Sequence, residues 1–392
     1  MRLIGSLSLL AALFASFAFA DNAALLSGLK QDILKNEKTT NELNSDNLEK
    51  SWINSIVGSF SYNNSDAGMR REETNTLSIT MNQPIFKSGG IYYAIKYADA
   101  NRDFLRIATR FTKQTEIKTI LSSLYNLKKL DLQIQKEKYL IKNAKIDILR
   151  KKEQYKSGFL DSSFLNQAIL SESSLQRALL DMYSSRLELL KVFKTFSDAD
   201  MGKVKLPKFS LIDKSAYLKK SLVLQQKKSE IVKNNYLKKM TISSYLPTLS
   251  FNAGFFDSYD FGAKRYSSFG LKISMPLIDL NRGRTIEIKR LEYLKSKLEY
   301  QDKKRDEQKS FELAVEKIKI LKKKIALTQE DLKLYDSLLN STKDSYKAGE
   351  KTIYDIQTLE NSKNTMALDV KIFKIQIQLS LLDLYAKMNG KI

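Results

Sequence analysis

Residues 246–283 read LPTLSFNAGFFDSYDFGAKRYSSFGLKISMPLIDLNRG, and they hold two runs of strict alternation. Leu249, Phe251, Ala253 and Phe255 alternate with Thr248, Ser250, Asn252 and Gly254. Phe269, Leu271, Ile273 and Met275 alternate with Ser268, Gly270, Lys272 and Ser274. A period of two means a strand with one apolar and one polar face. Pro247 and Pro276 stand at the outer ends, where strands start or stop. Most of the remaining sequence reads as helix, so an isolated strand pair needs an explanation. The explanation expected here is a membrane.

Working outward, a second pair precedes the first by about half the chain. Ile56, Gly58, Phe60 and Tyr62 alternate with Ser55, Val57, Ser59 and Ser61. Leu77, Ile79 and Met81 alternate with Thr76, Ser78 and Thr80. This hairpin spans about 54–83 and the other about 247–276. A long helical span follows each one, the first free of proline and glycine from about Ile91 to Tyr155. In the first span, about 88–155, Leu127, Ile134, Ile141 and Ile148 recur every seven residues. In the second, about 283–345, Ile318, Ile325, Leu332 and Leu339 do the same. Seven-residue spacing makes the narrow apolar seam of coiled-coil packing. A helix of this length extends about 100 Å.

Tyr155-Lys-Ser-Gly158 breaks the first span and Tyr346-Lys-Ala-Gly349 the second. Gly158 and Gly349 can take the left-handed conformation that ends a helix. Shorter helices follow, about 163–196 and 352–388, the second with Thr352 and Asp355 as its start signal. Pro84 and Pro276 lie 192 apart, the two YxxG breaks 191 apart. The chain therefore reads as two structural repeats. Residues 21–212 hold a first helix with Leu25, Leu29 and Ile33 on one face, then the hairpin, both further helices and a connector with Pro207. Residues 213–392 begin with a helix about 213–239 and repeat the order.

Residues 1–20 read as a secretory signal peptide: Arg2, an apolar run, and Ala18-Phe19-Ala20 as cleavage site. The chain has 392 residues, no Cys and no His, which removes disulfides, thiolate metal sites and imidazole catalysis. No catalytic constellation, cofactor site or metal site is legible, and no enzyme is expected. The net charge is +22, but Lys is interleaved with Glu, as at Lys151-Lys152-Glu153 and Glu316-Lys317. That pattern reads as solvated helix surface, with no nucleic-acid partner.

Each strand is close to the 9–11 residues that cross a bilayer. An apolar outer face against lipid and a small polar inner face match a barrel wall around water. Four strands cannot close such a barrel, and an open edge in lipid leaves backbone groups unpaired at several kcal/mol each. Several chains must share one barrel. Two copies would give eight strands, an interior filled by side chains. Three would give twelve and leave room for water, which the polar face favours. The fold class is mainly α with a small membrane β-barrel, continued by a long coiled-coil helical barrel. Trp52, Phe60, Tyr62, Phe255, Phe256 and Tyr266 are candidates for interfacial aromatic belts.

The chain resembles the TolC-type outer-membrane efflux proteins. The carrying residues are the hairpin-to-helix junctions NQPIFKSGG (82–90) and SMPLIDLNRG (274–283), and the breaks YKSGFLDSSFL (155–165) and YKAGEKTIYDIQTLE (346–360). The resemblance implies a homotrimer in the Gram-negative outer membrane, each chain giving four strands to a twelve-stranded barrel that continues into the periplasm. It implies an exit duct for efflux or type I secretion, opened by a periplasmic adaptor and an inner-membrane pump of RND or ABC type. Pro84, Gly89, Gly90, Pro247, Pro276 and Gly283 fall at the barrel–helix junctions. Asp355 falls on the first acidic position of the family's periplasmic entrance, where three copies would form a cation-preferring constriction. It also fits a helix cap, and the two roles can coexist. Thr358 replaces the second acidic residue. Lys351 takes the basic position near Tyr346, but its acidic partner falls on Phe164, beside Ser163. Asp161 is the substitute, or Phe164 closes the tip by hydrophobic contact. The alternative reading is an exported coiled-coil adaptor or scaffold, which would need a β-rich lipoyl-like domain.

Overall fold

A computed structural model describes residues 25–66, 71–259 and 264–390. The expected leader lies outside the described residues. Two helices of near-equal length run the full height of the protein: α2 (Gly90–Lys156, 67 residues) and α6 (Arg282–Lys347, 66 residues). The other helices are α1 (Gly28–Glu49), α3 (Ser162–Phe196), α4 (Lys214–Lys220), α5 (Leu222–Ser243) and α7 (Ile353–Tyr385). The strands are β1 (Val57–Asp66), β2 (Arg71–Phe86), β3 (Thr248–Tyr259) and β4 (Lys264–Ser274). The repeat is exact to within one residue at the long helices. Their starts differ by 282 − 90 = 192 and their ends by 347 − 156 = 191. None of the described helices is long and apolar enough to cross a membrane.

Packing arranges the helices as a wall. Beside the sheet, α1 packs on α2, α2 on α5 and α5 on α6. Toward the far tip, α3 packs on α2, α2 on α7 and α7 on α6. Thus α2 lies inside the wall and α6 at its edge. The main core sits midway, where Ile117, Ile120, Leu121, Leu124 and Tyr125 of α2 meet Phe193, Ile318, Ile375 and Leu382. The connector 197–213 closes over this core. The Tyr125 hydroxyl donates to the Pro207 carbonyl, and burial pushes that phenol up to about 12. Gln378 bonds both the N–H (2.7 Å) and the carbonyl (3.2 Å) of Phe209, as a strand partner would. Beside it, Glu307 is fully buried, accepting from the Tyr217 hydroxyl at 2.5 Å and from Lys387 at 3.1 Å. Burial, then the Glu307 carboxylate, raises the Tyr217 phenol far above its ordinary range.

Three sequence expectations need correction. The helix expected over 213–239 is two helices that meet at Ser221. Ser221 forms a bridge with Met388, and the Leu222 N–H donates to the Lys387 carbonyl, so a distant segment interrupts the helix. On α1 the buried residues are Leu34 and Ser45, with Leu26 buried just before its start, while Leu29 and Ile33 are exposed. The face was misplaced because several apolar residues sit at helical spacing there. Pro84 does not end its strand. β2 continues to Phe86 through a register shift, as expected where proline cannot donate to the ladder.

Candidate functional site

The four strands form one antiparallel sheet in the order β1-β2-β3-β4, which leaves β1 and β4 as edges. Register fixes the faces. Gly58 pairs with Ile79, Phe60 with Leu77, Ile79 with Phe255, Met81 with Ala253, and Ala253 with Phe269. These make one continuous apolar face, with Phe269, Leu271 and Ile273 strongly exposed. On the other face Ser59 pairs with Ser78, Thr80 with Gly254, Asn82 with Asn252 and Ser250 with Lys272. The Ser59 and Ser78 hydroxyls are 2.7 Å apart. The sheet thus has the two faces of a barrel wall around water.

Two details depart from the alternation read in the sequence. The apolar face ends at Asp257, paired with Arg265 at 2.8 Å and bonded by the Tyr259 hydroxyl at 3.0 Å. From Leu249 to Phe255 the apolar run covers about 20 Å of strand, and the ion pair stands beyond it, next to the hairpin end. Phe256 and Tyr266, expected in a belt, lie instead on the polar face, because each is one residue out of phase with Phe255. Their rings stack at 4.9 Å and 18°. Gly254 makes room: a Cβ there would come within 2.6 Å of the Phe256 ring. Phe60, Tyr62 and Phe255 keep the apolar parity.

At the opposite end the long helices close with the same turn. The N–H of Gly158 bonds the Tyr155 carbonyl and that of Phe159 the Gln154 carbonyl. Gly349 and Glu350 do the same to Tyr346 and Ser345. These are paired Schellman motifs, with Gly158 at φ 74° and Gly349 at φ 80°. Asp161 then caps α3 by accepting from the Ser163 N–H at 2.7 Å, and it makes no ion pair with Lys351 among the described residues. Tyr155, Phe159, Phe164 and Tyr346 all stand exposed on the single chain.

Asp355 has two partners. Its Oδ2 accepts from the Thr352 N–H and hydroxyl, each at 2.8 Å, in a capping box. Its Oδ1 accepts from Arg150 Nη2 of α2 at 2.7 Å. The Thr352 bonds, with Arg150 and Lys351 adding positive charge, hold the carboxyl below its usual range. Arg150 begins a ladder down the α2–α7 seam. Seven residues on, Asn143 bonds the Thr358 carbonyl and Ser362 at 3.3 Å and accepts from Asn361 at 2.8 Å. Seven further, Lys136 bonds Asp369 at 2.8 Å. The Thr358 hydroxyl turns back onto the Tyr354 carbonyl. Sequence reading missed this ladder, although 136, 143 and 150 follow the apolar seam 134, 141 and 148 at a constant offset of two.

The junctions differ between repeats. Ser88 (φ 45°) and Gly89 (φ 84°) turn the chain into α2, while α6 starts with no positive φ, and Gly283 is simply its second residue. Gly90 approaches Ser243, whose hydroxyl would lie 2.8 Å from an added Cβ. Pro247 precedes β3, and Ser88 donates to its carbonyl at 2.8 Å. Pro276 follows β4.

Comparison with solved structures decides the architecture. VceC, an outer membrane protein of Vibrio cholerae, superposes with TM-score 0.73 at 12% identity, over 92% of this chain and 94% of VceC. The CmeC outer membrane channel of Campylobacter jejuni gives 0.73 at 14%, over 93% and 84%. The open state of the Neisseria gonorrhoeae MtrE channel gives 0.65 at 10%, over 93% and 87%. The chain has the TolC-type fold. No family model and no curated protein sequence matches it. Within the TolC-type fold the described chain is one open segment, a four-strand sheet continued by a row of helices. Among the described residues no cluster of side chains could hold a metal ion.

Proposed function

We propose that this protein is one third of an outer-membrane exit duct in a Gram-negative bacterium. Three chains close a twelve-stranded barrel, and their helical walls form a tube reaching into the periplasm. The observation that carries this reading is that both walls of the chain are open on matching sides. The sheet ends at β1 and β4. The helical row ends at α1 and α3 on one side and at α6 on the other, and α3 and α6 each expose an apolar seam. On α6 it is Leu313, Ile320, Leu327 and Leu334, seven apart; on α3 it includes Leu180 and Leu187. A threefold arrangement joins β4 to β1 and α6 to α1 and α3, removing every open edge at once. The likeness to outer-membrane channels over nine-tenths of the chain supports the same reading.

The tip is then the periplasmic entrance. Arg150–Asp355 and the ladder below it tie α7 to α2 in each protomer, and the exposed Phe164, Phe159 and Tyr346 meet their neighbours around the axis. Opening requires a partner that moves α7, for which a periplasmic adaptor and an inner-membrane pump are the expected agents, in drug efflux or type I secretion. A soluble adaptor is disfavoured, because the described strands form a single sheet with an exposed apolar face. The test is extraction and reconstitution. The protein should leave outer membranes only with detergent, run as a heat-modifiable trimer and open ion-conducting channels in planar bilayers. Recovery as a soluble periplasmic monomer would overturn the proposal.

A further inference from the structure

We infer that the barrel of this duct prefers anions, and that Lys272 sets the preference. The inference rests on the trimeric duct and concerns the charge of its wall. Register places Lys272 opposite Ser250 on the polar face. Leu271 and Ile273, its chain neighbours, belong to the apolar face, so Lys272 stands at membrane depth. Its side chain is exposed and makes no ion pair among the described residues. The rest of that face is uncharged at this level. Val57, Ser59 and Ser61 on β1, Thr76 to Asn82 on β2, Thr248 to Ser258 on β3, and Tyr266 to Ser274 on β4 contribute no carboxylate of polar parity. The only acid among these strand residues, Asp257, lies on the opposite face, neutralised by Arg265. Lys264, also positive and on the polar face, lies eight residues away, about 26 Å along the strand, and Glu72, opposite Ser65, has polar parity only beyond that, at the hairpin end of β2.

Three chains therefore place three unpaired ammonium groups at one height of a water-filled wall. A ring of fixed like charge in a low-dielectric channel concentrates counter-ions and repels co-ions. At the other end of the duct, the one acidic residue mapped to the entrance ring is held by Arg150 and Thr352. The expected sign of selectivity is thus opposite to the one an acidic entrance ring alone would give.

The test is a reversal-potential measurement on the reconstituted trimer in a tenfold KCl gradient at low ionic strength, where screening is weakest. It is run on the native chain and in an Asp355→Asn background, which removes that carboxylate from the entrance. Chloride should permeate about twofold or more over potassium. Lys272→Gln should bring the ratio toward one, Lys272→Glu should invert it, and Lys272→Arg should preserve it. A ratio unchanged across these variants in both backgrounds, or a potassium preference that ignores residue 272, overturns the inference and leaves the duct standing. If no variant, native included, forms channels, the duct itself fails. Should Lys272→Glu not assemble, the Gln and Arg pair still decides.

Discussion

α2 and α6 are the same helix built twice, yet they meet different surroundings. Over nearly equal length, α2 buries sixteen residues and α6 only six. α2 has neighbours on both sides, while α6 packs on α5, α7 and the short α4, and its Leu313 to Leu334 seam stands exposed in the single chain. The sequences anticipate this. α2 carries Ile117, Ile120, Leu121, Leu124 and Tyr125 as a broad apolar face. α6 carries its core seam at Ile318 and Leu339 and a second, exposed seam at Leu313 to Leu334. A repeat does not have to be symmetric in environment. One copy became a core helix and the other an edge.

The largest expected effect tests the edge. Ile320→Lys with Leu327→Lys should abolish the detergent-stable trimer while circular dichroism keeps its helical signal. A trimer of native size and heat stability would mean that α6 is not an interface. The next tests the core. Ile120, with no exposure, lies where truncation leaves a cavity, so Ile120→Ala should cost about 2–5 kcal/mol in denaturant titration. A loss below about 1 kcal/mol would place the core elsewhere.

Smaller again is the Arg150–Asp355 link, both of whose side chains are about a third exposed. Arg150→Gln should cost about 1 kcal/mol per protomer after solvent screening and raise single-channel conductance. The pH response follows in sign. The folded Asp355 carboxyl titrates below its ordinary value, so its contribution is present above the ordinary carboxylate range and is lost as pH falls through the lowered one. Acid should therefore loosen the native tip in the direction of Arg150→Gln, and Asp355→Asn should remove that part of the response. The smallest effect compares the paired turns directly. Gly158→Ala and Gly349→Ala each force a Cβ into positive φ and should cost about 1 kcal/mol. Nothing lies within 4 Å of either added Cβ, so the two losses should match.

Periodicity made the architecture legible. The period of two gave all four strands, and the seven-residue seams gave both long helices, with Leu127, Ile134 and Ile141 buried as read. The errors have physical causes. A break at Ser221 depends on Met388, far away in sequence, and no local signal carries a tertiary bridge. Leu29 and Ile33 share helical spacing with Leu25, so several faces fit the pattern equally well. Phe256 escaped because an aromatic next to another apolar residue can fall on either face, and only the register with Tyr266 decides. At the tip, reading for single acidic positions found Asp355 but not its partner. Arg150 sits on another helix, 205 residues earlier.

The two unsatisfied strand edges also bear on time. A single chain can complete its midpoint core alone, since α1, α2, α3, α6, α7 and the connector all come from one polypeptide. It cannot complete its sheet, because β1 and β4 of one chain never meet. On the trimeric reading, helices can fold as soon as the chain is exported, whereas entry into lipid must wait for two further copies. Trimer formation and membrane insertion then become a single committed step, and the four-strand sheet acts as the checkpoint that keeps unassembled chains out of the bilayer.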